Sequence, residues 1–261
     1  MLRFKYIVSV IQNRESLQKL LNFLVQIMFR DAIEGLDNVI DTEIPEGSII
    51  LVAGIPGSLK SGITYNLLSN HLKSHPDEFG MYVTLEETTE SHLKNMQSLG
   101  IEIPDNLLIS DYSDIRERFE NKASLPNLIQ MINGVIEYFK NEKGEKFVVF
   151  ALDSLNALYS LIEYEDLRVK MFNFFKTLRE KELTSILIME IPSVVVRDNP
   201  NYSFGEAFLV DGLVRTGEIE TQQDVMLYMQ VKKMRATRHS RKKHLIEIGE
   251  KGISILGPIF T

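Results

Sequence analysis

Two hydrophobic patterns alternate along the chain and predict strands separated by helices. Short runs rich in Val, Ile and Leu are expected to form strands at Ser48–Ala53, Gly80–Leu85, Phe147–Leu152 and Ser185–Glu190. Nearly continuous apolar residues are typical of strands covered on both faces, as in a parallel sheet. Longer segments with helical spacing separate them, at Lys60–Ser74, Thr89–Leu99, Leu125–Asn141 and Tyr164–Glu182. This alternation predicts an open, twisted α/β sheet flanked by helices.

The pattern changes after Asp211, where short apolar segments follow one another without long helices between them. They lie at Leu213–Arg215, Asp224–Met234, Leu245–Ile248 and Ile253–Leu256. Close spacing of this kind favours antiparallel pairing. We therefore expect a mostly parallel sheet whose C-terminal strands are antiparallel and lie at one edge.

A helical pattern also precedes the first predicted strand. Apolar residues recur at helical spacing from Leu17 to Met28, which predicts a helix with one apolar face. We interpret this helix as packing on the main domain, and a partner-binding or membrane-surface helix is the alternative. The chain is accordingly divided into a helical extension at residues 1–30 and an α/β domain at residues 31–261.

The amino-acid composition excludes several kinds of functional site. The 261 residues include no Cys, which excludes disulfides, thiolate nucleophiles and Cys-ligated zinc. No apolar run approaches the roughly 18 residues of a membrane span, and the first run, Tyr6–Ile11, is too short for the core of a signal peptide. We expect a cytoplasmic protein with no membrane partner. The net charge of -7 also argues against non-specific attraction to nucleic acid.

The segment after the first predicted strand has the pattern of a phosphate-binding loop. GIPGSLKS, from Gly54 to Ser61, lies between that strand and a predicted helix, where backbone N–H groups and the helix N-terminus hold phosphates. Lys60 is expected to reach the β- and γ-phosphates of ATP as a catalytic residue, and Ser61 to bind Mg²⁺. The nucleotide-binding residues are then Gly54, Pro56, Gly57, Ser58, Leu59, Lys60, Ser61 and Gly62. An ordinary strand-to-helix turn is the alternative.

Leu59 departs from the pattern GxxxxGK[ST], which has glycine in front of the lysine. Glycine suits that position because the backbone approaches the phosphates closely and a side chain crowds them. The Leu59 side chain must therefore point away or alter the loop. We expect nucleotide binding rather than fast turnover.

Acidic residues follow two further predicted strands. Glu86 and Glu87 end the strand MYVTLEE, and Asp153 ends KFVVFALDS. Ligands of open α/β sheets bind beyond the carboxyl ends of the strands, so these side chains are expected around the same nucleotide. Asp153 is expected to hold Mg²⁺. One of the glutamates, placed one strand from the phosphate loop, is expected to orient or deprotonate the attacking water, and a polar loop after a strand is the alternative for the pair.

Together these motifs resemble the KaiC-like branch of the RecA superfamily of P-loop ATPases. The resemblance extends from about Ile33 to Ile255 through the ordered segments GLDNVI, IPEGSIILVAGIPGSLKS, YVTLEE, VVFALDS, FLVDGLV, VKKMRATRH and GISI. In that family a K-x-R-x-x-x-H strand delivers basic side chains to the nucleotide of a neighbouring subunit. The resemblance therefore implies that Lys233, Arg235 and His239 stabilise phosphate charge in trans, within a homo-oligomer that is most simply a hexameric ring.

The basic stretch from Lys232 to His244 has a second interpretation. It contains seven Lys or Arg residues, and RecA relatives include DNA-handling proteins, for which clustered positive charge gives salt-dependent phosphate binding. No aromatic residue in the stretch provides a platform for stacking bases. We favour the role at a neighbour's nucleotide over nucleic-acid binding and over a solvated basic loop.

Other polar residues are less informative. Ser193 and Ser203 are separated, so the neighbouring Ser and Thr residues that some family members phosphorylate on themselves have no counterpart here, and autophosphorylation is not expected. Glu190 either senses the nucleotide or is an ordinary strand terminus. His71 and His75 lie four residues apart on a predicted helix, but no third ligand in the sequence supports a metal, so we interpret them as exposed.

The motifs lead to one expected function and two alternatives. We expect Mg²⁺-dependent binding and slow hydrolysis of ATP, in signalling or regulation, at a site that a neighbouring subunit completes. A regulatory module that binds nucleotide without efficient hydrolysis is the first alternative. A DNA recombination accessory protein is the second. Other protein partners are not indicated by the sequence.

Overall fold

The computed structural model describes residues 29–113, 128–160, 164–192, 205–221, 224–250 and 252–259. Nine strands in this part of the chain form one sheet. In chain order they are Ile49–Gly54 (β1), Phe79–Thr84 (β2), Leu107–Asp111 (β3), Phe147–Asp153 (β4), Thr184–Glu190 (β5), Gly212–Glu220 (β6), Val225–Met234 (β7), His244–Gly249 (β8) and Gly252–Pro258 (β9).

The sheet is mostly parallel, with antiparallel strands at its C-terminal edge. Its strand order is β3-β2-β4-β5-β1-β6-β7-β8-β9, with parallel pairing from β3 to β6 and antiparallel pairing from β6 to β9. The predicted fold class is therefore confirmed. One detail differs, because β6 was expected to be antiparallel and instead pairs in parallel with β1, from Ile50 opposite Gly212 to Gly54 opposite Thr216. Only its other side pairs antiparallel, with β7.

Helices connect the parallel strands. They are Lys60–Ser74 (α1), Thr89–Ser98 (α2), Leu128–Lys143 (α3), Leu155–Ser160 (α4) and Tyr164–Glu180 (α5). Helix α1 has the predicted bounds, and α2 begins after Thr88, whose side chain caps the helix by accepting a hydrogen bond from Ser91 N. The four predicted helices are confirmed to within a few residues where the structure describes them.

Two elements have no strong sequence pattern. Strand β3 is an edge strand whose first residue, Leu107, is buried, whereas the rest is half-buried or exposed. A strand that is buried at one end only lacks the long apolar run by which the interior strands are recognised. Helix α4 has six residues, which is too short to establish a helical period.

Two apolar layers cover the sheet. On one face, buried residues of α1 such as Leu68 and Leu72 pack against Val149 and Ile188 of the strands. On the other face, α3, α4 and α5 contribute a second cluster, which includes Phe174 and residues of β1. Both faces of β1 are therefore covered, and all six of its residues are buried. Because both faces are covered, a ligand can reach this strand only at its ends.

The residues before β1 belong to the first apolar layer. Phe29, Ile33 and Leu36 are buried in it, and Asn70 Nδ2 of α1 donates a 2.8 Å hydrogen bond to Ala32 O. The helix predicted up to Met28 lies outside the described residues, so the division at residue 30 stays a prediction. Among the described residues, no helix is both long enough and apolar enough to cross a bilayer.

Candidate functional site

The phosphate loop, residues 54–61, leaves β1 and enters α1 through a tight turn. Ser58 Oγ donates a 2.7 Å hydrogen bond to Ile55 O and lies 2.7 Å from Thr216 Oγ1 of β6. A Cβ atom on Gly54 would lie 2.1 Å from that same Thr216 Oγ1. Glycine at position 54 is therefore required by the close approach of β6, and β6 in turn anchors the loop through Ser58.

Leu59 adopts the left-handed conformation, with φ 61° and ψ 25°, immediately before α1. Its side chain packs against the first apolar layer, where its Cδ2 atom is one of three carbon atoms close to Gly62, with Leu99 Cδ1 and Ile253 Cδ1. Of the two outcomes expected for Leu59, the side chain pointing away is the one found. The left-handed conformation is unfavourable for a residue with a Cβ atom, which explains why the consensus pattern has glycine at this position.

Lys60 is the first residue of α1 and its side chain turns back into the loop. The residue is 8% exposed, its Nζ donates a 2.8 Å hydrogen bond to Ile55 O, and Glu190 Oε2 lies 4.0 Å away. Burial lowers the pKa of Lys60, and the nearby carboxylates of Glu190, Asp153 and Glu86 oppose that shift. A buried cation faces the loop, with acidic strand ends compensating its charge.

Asp153 connects the end of β4 to the start of α1. Its Oδ2 accepts a 2.6 Å hydrogen bond from Ser61 Oγ and a 2.8 Å hydrogen bond from Tyr82 OH. Burial raises the pKa of Asp153, and the hydrogen bonds from Ser61 and Tyr82 counteract the effect. A hydroxyl and a carboxylate beside a phosphate loop are hard oxygen ligands of the kind that Mg²⁺ prefers, so these side chains fit that metal.

The two glutamates after β2 have different partners. Ser154 Oγ donates a hydrogen bond to Glu86 Oε1, whereas Glu87 Oε2 accepts a 3.0 Å hydrogen bond from Asn95 Nδ2 of α2. Glu86 is thus tied to the residue next to Asp153, and Glu87 is tied to the helix that follows it. The expected placement one strand from the phosphate loop is wrong, because β4 and β5 lie between β2 and β1. Sequence order differs from sheet order here, and because β2 pairs directly with β4, Glu86 lies beside Ser154.

The basic turn, residues 233–239 at the end of β7, lies away from the phosphate loop. Lys233 Nζ donates hydrogen bonds of 2.9 Å to Ala207 O and 2.7 Å to Val210 O. Arg235 Nη1 donates a 3.0 Å hydrogen bond to Asp211 Oδ1, and His239 Nδ1 lies 3.1 Å from Ser240 O.

Asp211 locates this turn relative to β1. Its N–H donates to Ile49 O and its Oδ2 accepts from Ile49 N, so Asp211 lies at the first residue of β1, while the phosphate loop follows the last. A strand of six residues spans roughly 17 Å. Burial of Asp211 acts to raise its pKa, but hydrogen bonds from Ile49 and from the guanidinium groups of Arg179 and Arg235 outweigh it and lower the pKa. Within one chain, the structure does not bring Lys233, Arg235 and His239 to Lys60.

The interpretation of His71 as exposed is wrong, whereas His75, which caps the end of α1, is exposed as expected. His71 is 2% exposed, its ring stacks on that of His75 at 4.4 Å, and its Nε2 lies 2.8 Å from Glu78 Oε2. His75 Nδ1 lies 2.8 Å from His71 O at the end of the helix. Ligand atoms of His71, His75 and Glu78 all lie within 4.8 Å of one another, but these internal contacts already account for the arrangement.

Sequence reasoning missed Tyr82, Ser154 and Thr216. Each contacts a predicted site residue: Tyr82 contacts Asp153, Ser154 contacts Glu86, and Thr216 contacts Ser58. A signal existed for Tyr82, which is a polar aromatic residue inside the apolar strand MYVTLEE. Thr216 had no such signal, because its proximity depends on the parallel pairing of β6 with β1.

The strand order, the loop between β1 and α1 and the carboxylates at the strand ends define a RecA-like P-loop fold. Comparison with known families agrees, since residues 29–258 match the family described as "ATPase: KaiC". The chain belongs to this KaiC family of ATPases.

Individual relatives cover the chain to different extents. The circadian clock oscillator protein KaiC of Parasynechococcus marenigrum is 28% identical over 238 residues, which are 85% of this chain and 43% of that protein. A UPF0273 protein of Thermotoga maritima is 29% identical over 238 residues, covering 87% of this chain and 94% of that protein. The chain thus spans less than half of that KaiC and nearly all of the UPF0273 protein.

A solved structure has the same fold. The crystal structure of a KaiC-like protein from Pyrococcus horikoshii OT3 superposes with a TM-score of 0.72 at 24% identity, covering 89% of this chain and 99% of that one. At this level of identity the similarity concerns the fold.

Proposed function

We propose that this chain binds ATP together with Mg²⁺ and hydrolyses it slowly. The observation that carries this proposal is the 2.6 Å hydrogen bond between Ser61 Oγ and Asp153 Oδ2, beside the buried Lys60. A hydroxyl, a carboxylate and a cation gathered beyond the end of β1 match the groups that bind the phosphates and metal of a nucleotide. Membership of a family of ATPases supports the same function.

Each side chain has a role that follows from its chemistry. Lys60 Nζ exchanges its hydrogen bond to Ile55 O for the β- and γ-phosphates, while backbone N–H groups of the phosphate loop bind phosphate oxygens. Ser61 and Asp153 hold Mg²⁺, which when bound neutralises phosphate charge. Glu86 orients or deprotonates the attacking water, because Ser154 occupies only one of its carboxylate oxygens.

The proposed site is completed by a second copy of the chain. Lys233, Arg235 and His239 contribute positive charge to the γ-phosphate held by a neighbour, most simply within a hexameric ring. Lys233 and Arg235 lie at the opposite end of β1 from the phosphate loop, which supports action in trans because they cannot reach the loop of their own chain. Before assembly, Arg235 is held by Asp211. We place this activity in the cytoplasm, in signalling or regulation.

Nucleotide binding tests the proposal first. ATP affinity and turnover are measured with Mg²⁺ for the parent, Lys60→Ala and Asp153→Asn. Lys60→Ala is expected to weaken ATP binding and Asp153→Asn to remove the dependence of binding on Mg²⁺, because each change deletes a group that faces the phosphates. Unchanged ATP affinity in Lys60→Ala would contradict the proposed site.

A mixing experiment tests the shared site. Arg235→Ala is expected to lower turnover roughly a thousandfold or more, as removal of an arginine that acts in trans does. Lys60→Ala has a defective phosphate loop and an intact basic turn, and Arg235→Ala has the reverse, so mixing the two is expected to restore part of the turnover. Arg238→Ala, an exposed residue of the same turn, is the matched control. If the mixture is no more active than the sum of its components, the site is not shared.

Turnover also discriminates the regulatory alternative. If bound ATP stays intact while assembly still responds to it, the chain is a nucleotide-responsive module rather than an ATPase. Light scattering with and without ATP, together with analysis of the bound nucleotide, separates these outcomes.

A further inference from the structure

We propose that Tyr82 is a positioning residue for the metal-binding carboxylate, holding Asp153 so that one of its oxygens stays available to the metal. The proposal deepens the proposed function and rests on it, because it assumes that Asp153 holds Mg²⁺. Tyr82 belongs to β2, whereas Asp153 ends β4 and Ser61 begins α1.

The hydrogen bonds of Asp153 are concentrated on one oxygen. Tyr82 OH donates to Oδ2 over 2.8 Å, and Ser61 Oγ donates to the same atom over 2.6 Å. Among the described residues, no donor reaches Oδ1. Two donors from different elements fix the rotation of the carboxylate, and Oδ1 is the oxygen left free for the metal or for a water molecule bound to it.

The Tyr82 hydroxyl is itself held in place by packing. Tyr82 is fully buried, and its ring lies 4.5 Å from that of His92 and 5.6 Å from that of Tyr65. Packing against these rings therefore holds the hydroxyl where it donates to the Asp153 carboxylate.

Ser61 and Tyr82 differ in what they can do when a metal binds. The Ser61 hydroxyl is expected to direct a lone pair to the metal while it donates to Asp153, so it belongs to the metal site itself. Tyr82 OH lies in the aromatic cluster with Tyr65 and His92 and acts only through Asp153. Without it, Ser61 alone would orient the partly buried carboxylate at the end of β4.

Tyr82→Phe tests the proposal, because it removes the hydroxyl and keeps the ring. Tyr65→Phe is the matched control, since it deletes a hydroxyl from the same cluster that is buried and has no hydrogen-bond partner among the described residues. Binding of Mn²⁺ in the presence of ADP is followed by electron paramagnetic resonance, and nucleotide affinity is measured separately in EDTA. The Mg²⁺ concentration for half-maximal turnover is a third measurement.

Tyr82→Phe is expected to weaken Mn²⁺ binding, and to raise the half-saturating Mg²⁺ concentration, by about tenfold, the usual effect of losing a partner of a metal ligand. Turnover at saturating Mg²⁺ and nucleotide affinity in EDTA should be close to those of the parent, and Tyr65→Phe should match the parent throughout. A merely structural role would change thermal unfolding and leave the metal titrations unmoved. Unshifted metal titrations in Tyr82→Phe, or equal shifts in both variants, would overturn the proposal.

Asp153→Asn distinguishes this proposal from the one on which it rests. If Asp153→Asn abolishes metal-dependent binding and Tyr82→Phe leaves it unchanged, Mg²⁺ binding stands and the role of Tyr82 is refuted. If the parent shows no metal-dependent nucleotide binding, both proposals are refuted.

Discussion

Replacing Leu59 separates the backbone cost of its conformation from the packing of its side chain. A left-handed conformation costs a residue with a Cβ atom roughly 1–2 kcal/mol. The side chain is partly buried against the first apolar layer, which stabilises the fold by about 1 kcal/mol, half the value for full burial. Leu59→Ala removes the packing and keeps the cost, so we expect a loss of about 1 kcal/mol.

Leu59→Gly removes the same packing and relieves the backbone cost, but it increases the conformational freedom of the unfolded chain by roughly 0.5–1 kcal/mol. The Gly variant should therefore be more stable than the Ala variant by about 0.5–1 kcal/mol, the reverse of the order in a helix interior. Urea unfolding gives both free energies, provided that the m-values agree. An Ala variant as stable as the Gly variant, or more so, would refute the reasoning.

The same two variants test the direction of the Leu59 side chain. Because it packs beside Leu99 and Ile253 rather than over the loop, its removal should leave the affinity for ATP unchanged. A marked gain in affinity in Leu59→Gly would mean that the side chain crowds the phosphates.

Two further changes test other parts of the structure. Burial lowers the pKa of His92 from 6.5 to about 4. As the pH falls below 6.5, His92 is therefore protonated in the unfolded chain while it stays neutral in the folded chain. This contribution reduces stability by about 2 kcal/mol between pH 7 and 5, and unfolding measured at both pH values should show a smaller loss in His92→Phe; an equal loss would contradict the shift. Gly54→Ala should destabilise the fold by about 2 kcal/mol or more, because its Cβ would lie 2.1 Å from Thr216 Oγ1. Gly134→Ala is the control and should not destabilise the fold, because Gly134 is exposed on α3 and a Cβ there would have nothing within 4 Å.

The sequence predicts the interior of this sheet well because its strands are covered on both faces. All six residues of β1 are buried, which produces the continuous apolar run that identifies a parallel strand. Strand β3 breaks that pattern because it lies at the edge, where only one end needs an apolar residue. The parallel pairing of β6 was also missed, because strand direction depends on the path of the chain between elements.

The candidate site is predictable where it consists of a local motif. Lys60 and Ser61 are adjacent to a buried strand, so the sequence alone assigns them to the start of α1. The partners of Asp153 and Glu86 are not predictable in this way, because Tyr82 and Ser154 reach them across neighbouring strands. The direction of the Leu59 side chain depends on its φ angle, which the consensus pattern does not encode.

The phosphate loop and the residues Lys233 and Arg235 of the basic turn lie at opposite ends of β1, so the two parts of the proposed shared site belong to two unlike surfaces of the chain. If the turn completes a neighbour's site as proposed, that contact is heterologous, so copies would add head to tail until the last meets the first or a filament grows. In such an assembly, a substitution in the turn of one copy would therefore change the nucleotide site of its unaltered neighbour. Its consequence would depend on which copies are neighbours rather than on how many carry it.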